Sequence, residues 1–497
     1  MQNNQQTVDA EDEPTAVAPD EDEFKYLKFD WYSHDEKLKA VAHKLAERWK
    51  DEATPKRRSK RDFESAFNVV LTALEVNGFY DGTQIRIPIY NAIYCGVTQR
   101  SAAHTSEVFD ALCWLKNNEY LLVTDGRRVV KSGSGGSQEI PFAYTIGEKW
   151  RAEVARSPMS SDSLITRNPL SPYVQVRTKL RLNNKRKALK VNYSPTSQQL
   201  SDSKELIDTT NRVMAAYDAL MARTSIRLDG APVAAHRTSY TRVFNNGGFE
   251  DGGRFYCALQ GIKSQQRLAI TFDGDPVAEV DYTGLHPTML YELEGLEPHP
   301  SPYEVEGFER SDVKVAFNIL VNRNAKIHSS SEAQSIQKNL GIPYPEAQRL
   351  RDALYELHQP IVHRFNEGFG LKLQRLDSDI ALNILDYFVH ELQRPILMVH
   401  DSAVVSVRDA ESLLMSMKDF YHEAVNSLTK GKYSRILDAE SGVYEVIDGF
   451  FCSGNGVKVT CDTKHKAVED LLFRSLRGEE IARDLWNDAL RDTPLIQ

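Results

Sequence analysis

Residues 277–293, VAEVDYTGLHPTMLYEL, constrain this chain most. Val277 and Val280 belong to an apolar, strand-like approach that ends on Asp281. A turn follows at Thr283 and Gly284, then His286, and then an amphipathic run. A second apolar run, residues 395–407, is interrupted once, by His400-Asp401-Ser402, where two strands could meet at a tight turn. A carboxylate flanked by Leu397, Met398 and Val399 on one side and Val404 and Val405 on the other is costly to bury unless it coordinates something. Two such carboxylates at strand ends are the pattern expected of metal-dependent phosphoryl-transfer chemistry.

The 497 residues allow two or three domains. No run reaches the length of a membrane span, and the N-terminus lacks a basic-plus-apolar signal segment, so the reading is of a soluble, cytoplasmic protein with no membrane partner. Five scattered cysteines with no CxxC pair point to a reduced compartment and no structural zinc. The formal charge of −9 at first disfavours nucleic acid. Residues 1–24, however, hold eight acids and no Lys or Arg, and setting them aside leaves 62 acids against 61 bases. Local charge must therefore decide.

Residues 1–24 read as a disordered acidic tail. A helical pattern spans residues 26–49, and Lys56, Arg57, Arg58, Lys60 and Arg61 then form a basic cluster, either a solvated loop or a phosphate contact. Asp62 is a candidate N-cap for a helix carrying Phe63, Phe67, Val70, Leu71 and Leu74 and ending at Asn77-Gly78. Further helices are expected over 85–94 and 105–117, then strands over 120–124 and 140–146 around a Gly/Ser-rich loop. Helices followed by a two-stranded ribbon with a flexible tip resemble a winged helix-turn-helix, and residues 25–150 are expected to bind nucleic acid or to serve as a helical packing domain.

Residues 151–235 are expected to hold a basic hairpin and a thumb-like helix. Arg177, Lys179, Arg181, Lys185, Arg186, Lys187 and Lys190 fall in a stretch without acids, with Asn183-Asn184 suited to a turn. Such a hairpin could lie along a phosphate backbone or be a solvated surface ribbon. Residues 200–227 form a long amphipathic helix. Beyond it lie Gly252-Gly253-Arg254-Phe255, Leu259-Gln260, the strand bearing Asp281, and Arg310 and Lys314 four apart on one helical face, with Phe317 and Val321 continuing that side. Two cations without an intervening acid suit a triphosphate clamp, although an isolated pair is more often a solvated face.

In their order these landmarks resemble the palm and fingers of the family A nucleic-acid polymerases, which include bacterial DNA polymerase I and the single-subunit phage-type RNA polymerases. The likeness covers residues 236–410. GGRF with its following Leu-Gln resembles the family's TGR…NLQ segment, and DYTGLH resembles the motif DYSQIE. Arg310-x-x-x-Lys314 resembles the fingers-helix motif. Residues 340–361 are similar to the helical segment after it, and residues 376–381 occupy the place of the polar helix before the HD motif, which His400-Asp401-Ser402 resembles. The resemblance implies an α+β right-hand fold, with palm and fingers over residues 236–460 and a C-terminal helix over 461–497. It implies that Asp281 and Asp401 hold two Mg²⁺ ions, with Mn²⁺ as an alternative, and that Lys314 and Arg310 grip a nucleoside triphosphate. Arg254, Gln260 and His400 would contact the primer end, and His286 and Asn322 would stand where the family has its sugar gate and base wall.

The function so implied is template-directed DNA synthesis on primed DNA without proofreading, from a compact polymerase of the kind carried by phages or mobile elements. His286 replaces the family's gate glutamate and Asn322-Arg323 its Tyr-Gly, so the choice of sugar stays open. An RNA polymerase or primase on the same fold is one alternative, and a non-catalytic DNA-binding replication protein is another. Oligomeric state leaves no mark on the sequence.

Overall fold

The computed structural model describes residues 29–52, 63–76, 85–86, 106–125, 128–131, 137–140, 143–154, 165–169, 171–180, 189–282, 284–324, 330–429 and 457–460. These fall into two compact units, one up to residue 154 and the other from residue 165. Residues 165–235 fall in one unit with the strands and helices from residue 236 onward, with Val213, Tyr217 and Ile226 in its main core and Val176 in a smaller cluster with Phe244 and Phe249.

The first unit packs α1 (Glu36–Glu52), α2 (Phe63–Val76) and α3 (Ser106–Asn117) around a core that includes Leu45, Phe67, Leu74 and Leu115. Helix α1 starts ten residues later than its periodicity suggests, because Asp35 Oδ1 accepts from the backbone N–H of Lys37 and Leu38 and caps it there. Trp49 stacks on Phe63, with centroids 3.5 Å apart, and joins α1 to α2. Ile85–Arg86, expected to be helical, is instead strand β1. Strand β2 (Leu121–Asp125) leads to the hairpin β3 (Arg128–Lys131) and β4 (Ser137–Ile140), and β5 (Ala143–Ile146) returns between β1 and β2 in antiparallel order β1-β5-β2. The candidate cap Asp62, the helix end at Asn77-Gly78 and the basic cluster at 56–61 lie outside the described residues.

The second unit is α+β. Strands β6 (Val174–Leu180) and β7 (Leu189–Tyr193) pair antiparallel, as the basic hairpin required, although its turn lies outside the described residues. Helix α5, after the short α4 (Glu148–Glu153) of the first unit, spans Lys204–Arg223. Then follow β8 (Ile226–Leu228), β9 (Ala231–Pro232), β10 (Thr241–Phe244), β11 (Gly252–Tyr256), β12 (Ile270–Phe272) and β13 (Asp275–Asp281). Helices α6 (Leu285–Leu293), α7 (Arg310–Asn322), α8 (Ser330–Leu340), α9 (Tyr344–Leu357) and α10 (Gly370–Asp386) precede β14 (Ile396–Val399), β15 (Ser402–Ser406), α11 (Ala410–Thr429) and β16 (Val457–Thr460).

One sheet runs β9-β8-β12-β13-β15-β14 in antiparallel order, with β16 parallel to β13 as its seventh strand. A smaller sheet runs β11-β10-β6-β7. Strands β13, β14 and β15 are buried on both faces, which is why they read as continuous apolar runs rather than alternating ones. Each fully buried valine or leucine there contributes on the order of 1.5–3 kcal/mol.

Strand β14 is an edge, and its outward carbonyls are covered by side chains. Tyr217 of α5 donates to Ile396 O at 3.0 Å, and Tyr240 donates to Met398 O at 2.8 Å. Such cover protects an edge strand from further pairing. It also fixes α5, whose Val213, Met214 and Tyr217 are buried in the main core. The C-terminal half of the helix expected as a thumb is thus anchored in the core of this unit. No helix among the described residues is long and apolar enough to cross a membrane.

Candidate active site

The ladder between β13 and β15 sets Asp281 opposite Ser402. Val399 also pairs with Ser402 across β14 and β15, which leaves His400 and Asp401 as a two-residue turn. His400 takes φ of 60°, a left-handed conformation that a residue with a Cβ adopts at a cost of order 1 kcal/mol. The turn therefore presents Asp401 beside the end of β13. Ladder spacing and strand rise place the two aspartates' Cα atoms roughly 6 Å apart. Both side chains are half-buried.

Around this pair the structure gathers charge from four further elements. His286, in the first turn of α6, has its Nε2 4.0 Å from Asp377 Oδ2 on α10. Burial, with Arg254 and Lys314 nearby, pushes His286 down to about 4 against the pull of Asp401, so its imidazole is neutral. Its Nε2 has no hydrogen-bond partner among the described residues, nor has Nδ1 of His400. Arg254 of β11 donates to Asp377 Oδ2 from Nε at 3.2 Å and from Nη2 at 3.1 Å. Burial raises Asp377 to about 6, while Arg254 holds it down and Asp401 pushes it up. His400 lies edge-on to Tyr256, 6.0 Å between centroids, and burial followed by Arg254 lowers it.

Arg310 and Lys314 are exposed at the start of α7, and neither forms an ion pair among the described residues. Arg310 lies over the ring of Tyr303 at 5.5 Å, and Tyr303 meets Phe317 edge-on at 5.7 Å. Burial raises Tyr303, Arg310 opposes that rise and Asp401 adds to it, while His286 is influenced by both Asp401 and Lys314. Phe317 and Val321, expected to continue the cationic face, go into the core instead, because that row lies at the margin of the buried stripe.

Several expected site residues have other employment. Gln260 accepts from Cys257 N–H through Oε1, and its Nε2 donates to Phe255 O at 2.9 Å and Met398 O at 3.0 Å. Its amide thus holds the end of β11 to β14. Asn322 is exposed at the end of α7, where its amide donates back to Asn318 O. It lies eight residues, or about 12 Å of helix, beyond Lys314. Arg177 is half-buried near Tyr256, and burial lowers it. Lys179 lies on β6 opposite Lys190, whereas Arg181, Lys185, Arg186 and Lys187 lie outside the described residues.

Sequence reasoning assigns no role to Asp377 or Tyr303. Asp377 sits in a helix where a polar residue between Leu376 and Ser378 gives no periodic signal, and its partner is 123 residues away. Glu279 escapes the same reasoning. It is fully buried two residues before Asp281, paired with Arg267 at 2.5 Å, and accepts from Ser402 Oγ at 3.0 Å. That pairing pins β13 to the residue after Asp401.

Among the described residues no three His, Cys, Asp or Glu side chains converge as a closed metal cage. Two carboxylates on neighbouring strands suit Mg²⁺, which takes one or two protein carboxylates and completes its shell with water and substrate phosphates. No family model matches the chain, and no curated protein matches it.

Proposed function

We propose that this chain is a template-directed nucleotidyltransferase that extends a nucleic-acid primer with nucleoside triphosphates. The observation that carries this reading is the pairing of Asp281 with Ser402, which brings two carboxylates 120 positions apart in sequence to one strand end, with Arg310 and Lys314 exposed at the start of α7 and in no ion pair among the described residues.

Asp281 and Asp401 would hold the divalent ions. When bound, such ions lower the pKa of an attacking hydroxyl and neutralise the leaving group. Arg310 and Lys314 bind the triphosphate, and the Tyr303 ring fixes the direction of the Arg310 guanidinium. Lys314 Nζ would give a proton to departing pyrophosphate. Arg254, held by Asp377, and His400 line the side on which the primer end would lie, and neutral His286 walls the nucleotide without adding charge. Work of this kind is mostly positioning and charge neutralisation.

Strand β6 of the basic hairpin shares a sheet with β11, whose Tyr256 meets His400 edge-on, which supports its reading as a track for the duplex backbone. In the first unit, helices α1, α2 and α3 with a sheet of order β1-β5-β2 and the β3–β4 hairpin support a winged, nucleic-acid-binding module.

The deciding experiment is extension of a labelled primer on DNA and RNA templates, with deoxynucleotides and ribonucleotides offered separately, in Mg²⁺ and in Mn²⁺. Template-dependent elongation in either sugar supports the reading, and sugar preference separates DNA polymerase from RNA polymerase. Binding of the primed template without elongation under every condition would leave only the non-catalytic alternative.

A further inference from the structure

Among the described residues of the second unit, Arg242 on β10 is the largest fully buried side chain, and no step of nucleotidyl transfer uses it. Its Nε donates to Gly253 O at 3.0 Å, on the residue just before Arg254. Its Nη2 donates to Ser378 Oγ at 2.9 Å and Asp379 Oδ1 at 2.6 Å, on the two residues just after Asp377. Its Nη1 donates to Thr210 Oγ1 of α5 at 3.3 Å. The guanidinium lies 5.0 Å from the centroid of Phe244 and 5.2 Å from that of Phe255.

Stability alone does not explain this arrangement. Desolvating a guanidinium is expensive, and replacing a buried ion pair by apolar groups of similar volume is often neutral or stabilising. Asp379 does not depend on Arg242, since it remains partly exposed and also pairs with Arg375. Ser378 Oγ has a second partner in Arg375 O at 2.9 Å. What an apolar residue could not supply is the planar fork, whose fixed donor directions tie three backbone elements at set spacings.

We propose that Arg242 is a positioning residue for the candidate active site. It clamps β11 to α10 beside the two residues that must meet, and so sets where the Arg254 guanidinium stands relative to Asp377 and the aspartate pair. Gly253 takes part in the same clamp. With φ of 82° it brings its carbonyl to Arg242, and a Cβ there would meet Ser378 Oγ at 2.7 Å. The inference rests on the nucleotidyl-transfer reading for its kinetic consequence but not for its geometric one.

The test uses the full chain with ¹⁵N-labelled histidine, in wild type, Arg254→Ala, Arg242→Met and Arg242→Lys, with the His286 and His400 signals assigned through His286→Asn and His400→Asn. His400 lines one small pocket with Arg254, and His286 Nε2 lies 4.0 Å from the Asp377 oxygen that Arg254 binds, so both imidazoles report its place without any turnover. Arg242→Met is expected to move both signals in the direction that Arg254→Ala moves them, while those of His34 and His43 in the first unit stay fixed. Extension by Arg242→Met should fall about 10²-fold in kcat, as a misplacement near 1 Å produces, with KM for the nucleotide within about threefold of wild type. The double variant Arg242→Met/Arg254→Ala should be no slower than Arg254→Ala, since the first change acts through the second residue. Arg242→Lys, which retains a cation and part of the donor set, should recover some of the rate, and it serves in place of the methionine variant if that chain does not fold.

Unmoved imidazole signals would overturn the proposal, as would losses that multiply in the double variant, the signature of a general loosening. If the wild-type chain extends no primer, the functional reading fails, and the imidazole shifts alone decide the role of Arg242.

Discussion

Asp281 stands directly across the β13–β15 ladder from Ser402, so the carboxylate that ends one strand adjoins the turn presenting Asp401 at the head of the next. The register is held from beneath by Glu279, which accepts the Ser402 hydroxyl and pairs with Arg267. A slip of one residue would turn Asp281 to the other face.

Asp401→Asn is expected to remove primer extension by at least about 10³-fold, equivalent to roughly 4 kcal/mol of transition-state stabilisation, while leaving primed-DNA affinity within about threefold. Extension rates and a fluorescence-anisotropy titration measure the two. Equal loss of both would count against the metal-holding role.

Arg310→Ala should raise KM for the nucleotide roughly ten- to hundredfold with little change in kcat, because it binds phosphate in ground and transition states alike. Lys314→Ala should lower kcat as well. Both side chains are exposed, so thermal unfolding should stay within about 2 °C of wild type. A large fall in unfolding temperature would assign them to structure.

Gly253→Ala and Gly274→Ala separate backbone strain from crowding. Both positions have positive φ, 82° and 89°. A Cβ at Gly274 meets nothing within 4 Å among the described residues, whereas one at Gly253 meets Ser378 Oγ at 2.7 Å and the Phe244 ring at 2.8 Å. Urea unfolding should show about 1 kcal/mol lost at Gly274 and roughly 2–4 kcal/mol at Gly253. Equal losses would mean that β11 and α10 are not packed as described.

Glu292 is buried on α6 and accepts from the Tyr421 hydroxyl of α11. Burial raises it to about 7, and the Tyr421 hydrogen bond opposes that rise. The folded chain therefore holds this proton more tightly than the unfolded one. The stability it contributes is present below pH 4.5 and is lost as pH rises through about 7. Between pH 5 and pH 8, Glu292→Gln should gain on the order of 2 kcal/mol relative to wild type by urea unfolding. A constant difference across that range would show that Glu292 ionises normally.

Replacing Arg181, Lys185, Arg186 and Lys187 together by Gln should weaken DNA binding and flatten its dependence on log salt by about 3.6, at roughly 0.9 for each phosphate no longer neutralised. An unchanged slope would make the hairpin a solvated ribbon.

The aspartate pair and its strands are legible in sequence because each carboxylate breaks an otherwise apolar run, and a fully buried strand tolerates such a break only at its end or with a partner. Helices α2, α3, α7 and α11 are legible from their apolar periodicity for the same local reason. Residues 85–86 mislead because a short segment can join a sheet whose other strands lie far along the chain, and pairing with Ala143 and Tyr144 overrides local pattern.

By itself, then, the sequence determined which residues are apolar and at what period, and therefore where the buried strands end and which charges stand at those ends. Tertiary structure alone decided the rest: that Asp377 meets Arg254, that Glu279 is taken by Arg267, that Gln260 and α5 cover an edge strand, and that Arg242 joins three elements. Periodicity is a property of neighbours within a few turns or residues. A buried polar contact is fixed by the geometry of partners a hundred or more positions apart, and only the folded chain brings them within hydrogen-bond reach.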